Sequence, residues 1–417
     1  MDNLSAVDTS PQEAMNPEHL ALDLWAMAAR SGLRPLKIGM HTVLPIVQGG
    51  MGVGVSAGGL AGTVAGMGGV GTVSSVDLRR HHPDLMAQTA HLDKEPDARS
   101  RIEAANLLAL DREIVRARAI SQGRGMVAVN IMKALSQYEG LVIKSMQSGA
   151  DAVVVGAGLP LDLPELAKDF PKVALVPILS DARGVQLLVR KWEKKGRLPD
   201  AIVIEHPRLA GGHLGASKIE DLQDPRFDFE VVIPQVLEFF KTTGIENKIP
   251  LIAAGGIQCL DDILRLQALG AAGVQLGTAF AVTQECDAQP AFKRVLANAR
   301  TEDLVEFTSV AGLPARAVRT PWLNKYLKLE MRLKQAAQVK KKSNMYFDCL
   351  AHCGLRDGQA NMGQFCIDQQ LGHALEGDTQ RGLFFRGAGI LPFGSEIRSV
   401  QELMRWLLGA YMPKMAA

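Results

Sequence analysis

Eight short apolar runs recur along this chain, separated by helical patterns, and most of them end in a glycine-bearing loop. They are Val43–Val47, Val70–Val73, Met126–Val129, Ala152–Val155, Val173–Ile178, Ala201–Ile204, Leu251–Ala253 and Gly273–Leu276. Strands that are apolar throughout are buried on both faces, which implies a parallel sheet. The intervening segments Ile102–Ile120, Tyr138–Gln147, Leu163–Asp169, Val185–Lys194 and Val232–Phe240 read as helices, and another helix from Leu260 is stopped by Gly270. The small-residue stretch Ala57–Gly66 fits a helix packed close to a sheet. Eight such units closing on themselves make a TIM (β/α)8 barrel, an α/β fold. An open doubly wound sheet is the alternative. Glycine loops after nearly every strand, rather than after the first alone, favour the barrel.

A barrel needs about 250 residues, and the chain has 417. The remainder divides into residues 1–35, a tail and helix, and residues 301–417, a mostly helical C-terminal cap beside the barrel of 36–300. Pro17 opens a helix through Arg30 with Leu20, Leu24, Trp25 and Ala28 on one face, placed to cover the barrel floor. The tail before it reads as disordered. Leu327–Lys342 is basic and helical, and Lys340-Lys341-Lys342 reads as a solvated helix end. A net charge of +2 gives no field that would argue for nucleic acid. No apolar stretch is long enough for a bilayer, and the N-terminus lacks the basic and apolar regions of a signal peptide. The expectation is a cytoplasmic protein without nucleic-acid or membrane partners. Its oligomeric state is not legible.

The histidines His81, His82 and His91 fall in a charged stretch, Arg79–Arg101, read as a solvated insertion rather than a metal site. Cys349, Cys353 and Cys366 cluster with His352 and His373 nearby, but their spacing is wider than a paired-ligand knuckle. They read as free buried thiols, and no metal is assigned. Cys259 and Cys286 read as core. Five cysteines in a long chain do not make a disulfide framework.

Chemistry concentrates where the sixth run ends. Ala201–Ile204 leads into Ala210-Gly211-Gly212-His213-Leu214-Gly215. Glycines there let the backbone approach a ligand closely, and His213 carries an imidazole that titrates near neutral pH. Gly255-Gly256 follows the seventh strand, and Gln275-Leu276-Gly277-Thr278 ends the eighth. Barrels commonly hold a phosphate on backbone amides at those two loops. Gly49-Gly50-Met51 after the first strand and Asn130 at the third face the same mouth, with amides for the edge of a flat heterocycle and Met51 for its face. Flavin mononucleotide (FMN) meets that demand. No dinucleotide fingerprint follows the first strand, so a nicotinamide would visit the site and not reside in it.

Six of these stretches, taken in order, resemble the nitronate monooxygenases, formerly called 2-nitropropane dioxygenases, and the related flavin-dependent enoyl-acyl-carrier-protein reductases. They are Pro45–Met51, Val129–Met132, Gly156–Gly158, Ala210–Gly215, Ala253–Ile257 and Val274–Thr278, within residues 38–320. The resemblance implies a TIM barrel with non-covalent FMN. It places FMN contacts at Gly49, Gly50, Met51, Asn130, Gly211, Gly212, Gly255, Gly256, Gln275, Leu276, Gly277 and Thr278, and the catalytic role at His213. It implies either oxidation of a nitronate with O2 to a carbonyl compound and nitrite, or NAD(P)H-dependent reduction of an enoyl thioester. A non-catalytic flavin-binding protein is a third reading, against which the intact His213 loop argues. Glu205–Leu209 is one residue longer than the form expected, which leaves open whether Glu205 stands at the flavin edge. His206, before Pro207, reads as a turn residue rather than a rival base.

Overall fold

The computed structural model describes residues 17–90, 92, 97–339 and 349–411. The expected tail, His91 and the Lys340-Lys341-Lys342 run lie outside them. Eight parallel strands close into a barrel in chain order: β1 Ile46–Gln48, β2 Val70–Ser74, β3 Met126–Met132, β4 Ala152–Gly156, β5 Ala174–Leu179, β6 Ile202–Glu205, β7 Leu251–Ala254 and β8 Gly273–Leu276. Each expected run supplies one strand. Closure comes from β8 on β1, with Gln275 opposite Val47.

The period of two along each strand sorts side chains between two cores. Met126 and Ala128 of β3 point into the barrel with Val70, Ala152, Val154, Val176, Val203 and Ile252. Val127, Val129 and Ile131 point outward to the helices. At the β1–β2 junction the small helix Gly58–Gly66 lies tight on the sheet. A Cβ on Gly71 would sit 1.8 Å from the Ala61 carbonyl oxygen, so only glycine permits that approach. Gly270 ends the helix Leu260–Leu269 in the left-handed conformation, as expected.

Three features differ from expectation. The barrel floor is plugged by a hairpin, Leu36–Ile38 against His41–Val43, whose Leu36, Ile38 and Val43 join the inner core. The helix Pro17–Arg30 packs instead in the outer core, and Asp23 pairs with Arg405 of the helix Val400–Leu407 at 2.8 Å. Next, the Arg79 region is not solvated where it begins. Asp77 and Arg79 are buried, and Asp77 binds Arg79 at 2.7 Å and Arg80 at 2.6 Å. His81 meets the Gly54 carbonyl at 2.8 Å, and His82 lies 3.1 Å from Glu113. Finally, the C-terminal region opens with strands. β9 Leu304–Thr308 and β10 Pro314–Val318 form an antiparallel hairpin, and β10 also pairs with Gly212–His213. Helices Pro321–Val339, Gly354–Asp357, Ile367–Leu375 and Val400–Leu407 follow. Among the described residues, no helix is long and apolar enough to cross a membrane.

Candidate functional site

The strand ends converge on one cavity of about 310 Å³ at the C-terminal mouth of the barrel. That is where this fold puts its chemistry. Every residue assigned from sequence lines it. Gly49, Gly50 and Met51 come from the loop after β1, and Asn130 from β3. Gly211, Gly212 and His213 come from the loop after β6, Gly255 and Gly256 from the loop after β7. Gln275, Leu276, Gly277 and Thr278 come from the end of β8. Gly50 lies directly against Asn130, where a Cβ would stand 2.3 Å from the Asn130 Cβ. The first loop is held to the last strand by the Gly49 N–H, which donates to the Leu276 carbonyl at 2.9 Å.

The Gly211 result changes the reason for that glycine. A Cβ there would lie 2.4 Å from the Arg386 carbonyl carbon and the Gly387 nitrogen. The close approach is therefore made to the chain's own C-terminal backbone. The Thr278 hydroxyl accepts from the Gly387 N–H at 3.0 Å, which leaves its own O–H to donate. The Ala388 N–H donates to the Leu209 carbonyl at 3.1 Å. The segment Phe385–Gly389 is thus fastened over the loops after β6 and β8.

His213 is held from three sides. Its backbone pairs with Ala315 of β10, its Nε2 meets the Ser309 Oγ at 3.0 Å, and its ring tilts against Phe385 with centroids 5.6 Å apart. Ser309 is fully buried and also accepts from the Ala311 N–H at 3.3 Å. Arg316 donates to the Ala210 carbonyl and to Glu306, fixing the loop just before the histidine. Enclosure pushes the His213 imidazole down to about 4, so it is neutral at pH 7. Glu205, at the end of β6, lines the same cavity, and enclosure pushes its carboxyl up to about 7.

His206 does not line the cavity. Its carbonyl accepts from Leu209 and Ala210, its Nε2 lies 3.2 Å from Asp228, and its ring stands edge-on to Phe229. It is a turn residue, as its place before Pro207 implied.

Sequence reasoning missed Ser309 and the walls supplied by residues 349–391. Cys349, Leu350, Ile367, Asp368, Leu371, Leu383, Phe385, Arg386 and Leu391 all line the cavity. The glycines of Arg386-Gly387-Ala388-Gly389 were the available signal. Asp368 is buried and binds Arg80 at 3.1 Å; burial and the neighbouring Asp77 push its carboxyl up to about 7. The three C-terminal thiols are half-buried, and burial raises Cys349 and Cys366. Cys286 is buried as expected, whereas Cys259 is half-buried and donates its thiol to Asp262 at the start of its helix. Among the described residues, no three His, Cys, Asp or Glu side chains are grouped to hold a metal ion.

Comparison with known proteins agrees with this geometry. A probable nitronate monooxygenase of Staphylococcus saprophyticus is 31% identical over 30% of this chain and 33% of its own length. One from Staphylococcus aureus is 31% identical over 38% of this chain and 42% of its own. The chain therefore matches well under half the length of these relatives. Among solved structures, FabK from Thermotoga maritima superposes with a TM-score of 0.61 at 25% identity, covering 87% of this chain and 91% of that one. Nitroalkane oxidase from Streptomyces ansochromogenes shares the fold, with a TM-score of 0.57 at 19% identity over 91% and 96%. The family described as nitronate monooxygenase matches residues 34–409, nearly the whole chain, and the chain belongs to that family.

Proposed function

We propose that this chain is an FMN-dependent oxidoreductase that oxidises alkyl nitronates with O2 to a carbonyl compound and nitrite. The observation that carries the reading is a neutral, enclosed His213 facing a cavity rimmed by the glycine loops of β1, β6, β7 and β8. The residues fit a flavin: the loops after β7 and β8 offer backbone amides and the Thr278 hydroxyl for a phosphate, and Asn130 and Gln275 offer amide side chains for the ring edge. Bound there, FMN would supply reversible electron transfer between substrate and oxygen.

His213 does the work that belongs to this chain. An imidazole held near 4 is a weak base. It suits a nitronate, which arrives already ionised, better than a neutral nitroalkane that must first lose a carbon-bound proton. Ser309 holds the ring at Nε2, so that Nδ1 is the nitrogen left for a substrate and its direction is fixed. Phe385 and the apolar residues beside it exclude water from that face. Glu205 favours an anionic substrate only while protonated, because its carboxylate would stand in the same cavity.

A second reading, NAD(P)H-dependent reduction of an enoyl thioester, draws on the apolar wall formed by Leu350, Ile367, Leu371 and Leu383, which suits an acyl chain. Anaerobic mixing of the purified protein with propionate 3-nitronate or with NADPH separates the two. Rapid flavin bleaching by the nitronate and slow bleaching by NADPH is the expected result. The reverse pattern would overturn the monooxygenase reading.

A further inference from the structure

Among the described residues, four arginines are buried: Arg79, Arg316, Arg386 and Arg398. Three have a carboxylate partner: Arg79 meets Asp77 at 2.7 Å, Arg316 meets Glu306 at 2.8 Å, and Arg398 meets Glu396. Arg386 differs. Its Nε donates to the Leu296 carbonyl at 3.0 Å, and one Nη donates to the Gly387 and Gly389 carbonyls at 2.8 and 3.2 Å. No carboxylate of the described residues reaches it. Burial pulls its guanidinium below the usual range, and no neighbouring anion opposes that shift. A buried cation without a counter-charge is costly, so such groups are paired or await a ligand that pairs them.

The position of Arg386 names the ligand class. Arg386 lines the cavity. The next residue donates its N–H to the Thr278 hydroxyl at the end of β8. Gly389 packs on the loop after β7, its Cβ direction 3.7 Å from the Gly256 Cα. The guanidinium is bonded to the Gly387 and Gly389 carbonyls, within the segment that packs on the two loops whose amides suit a phosphate. A planar guanidinium matches phosphate oxygens in geometry as well as charge.

We propose that Arg386 is the counter-charge for a phosphate monoester seated against the loops after β7 and β8, so that the C-terminal segment completes the ligand site. The inference rests on the flavin reading above. The phosphate monoester belongs either to FMN or to the 2′ position of NADPH.

The test titrates the full chain, freed of flavin, with FMN, riboflavin and NADPH. Wild type is compared with Arg386→Met and Arg386→Lys, each checked for fold by circular dichroism. Arg386→Met should weaken FMN about 10- to 100-fold and leave riboflavin binding unchanged, with Arg386→Lys between. A selective loss of NADPH affinity with FMN unchanged would keep Arg386 as a phosphate residue and assign the phosphate to the dinucleotide. Equal losses of FMN and riboflavin, or no loss of any ligand, would overturn the proposal. If Arg386→Met does not fold, Arg386→Lys decides by the same criteria, because it keeps the charge but not the fork. Failure of wild type to bind either flavin would instead overturn the flavin reading itself.

Discussion

Acid should destabilise this protein through His213, and the size of the effect follows from its enclosure. The imidazole is pushed from 6.5 in the unfolded chain down to about 4 in the fold. A histidine with a lowered folded value binds fewer protons folded than unfolded between those two points. Its neutral form therefore contributes no penalty above pH 6.5, and stability is lost as the pH falls from 6.5 towards 4. At ~1.36 kcal/mol per unit, the loss is about 2 kcal/mol at pH 5 and about 3 kcal/mol at pH 4. The ring faces the cavity, where water softens the penalty, so these are upper values. Urea unfolding of the flavin-free protein at pH 8, 6, 5 and 4, wild type against His213→Gln, isolates the contribution. Glu205, Asp368 and the other acids titrate in both proteins and cancel in the difference. The gap between the two should shift by about 2 kcal/mol in favour of His213→Gln between pH 8 and pH 5. A gap constant with pH would refute the claim that the imidazole is held neutral.

Glu205 is raised from 4.5 to about 7, so a carboxylate forms in the cavity as the pH passes 7. The kcat/KM for an anionic nitronate should fall above that point, and a pH profile of Glu205→Gln should lack the fall. Gly211→Ala forces a Cβ to 2.4 Å from the Arg386 and Gly387 backbone, neither of which is a flexible side-chain end. It should destabilise by about 1–3 kcal/mol, read by denaturant unfolding, and should speed proteolysis of the C-terminal segment. Ser309→Ala frees the His213 ring. Turnover should drop by roughly 10-fold through kcat more than KM, with partial recovery in Ser309→Thr and FMN affinity unchanged.

The barrel was legible because burial on both faces writes each strand as a contiguous apolar run. The first residues after such a run then sit at the mouth without further information, which is how Gly49, Asn130, Gly255 and Gly277 were found. The misread features depend on partners far away in the chain. Asp77, Arg79 and Arg80 carry charges that look solvated in a local window; pairing with one another, and with Asp368 almost 300 residues later, removes them from water. β10 is buried at every position, so Pro314-Ala315-Arg316-Ala317-Val318 has no polar alternation to reveal a strand, and one of its pairing partners is the two-residue Gly212–His213. The floor hairpin has strands of three residues, too short to show a period.

The same division runs through the site. The barrel loops that converge from local pattern are those proposed to hold the flavin. The groups that hold His213 and wall its cavity, Ser309, Phe385 and the apolar residues Leu350, Ile367, Leu371 and Leu383, come from the hairpin and the C-terminal segment through contacts invisible in any short window. Exchange of residues 349–391 between relatives should therefore change substrate choice while leaving the barrel loops able to hold the same ring. Arg386 is the exception within that segment, since its backbone packs against Gly211 and its guanidinium is the group proposed to pair with the phosphate.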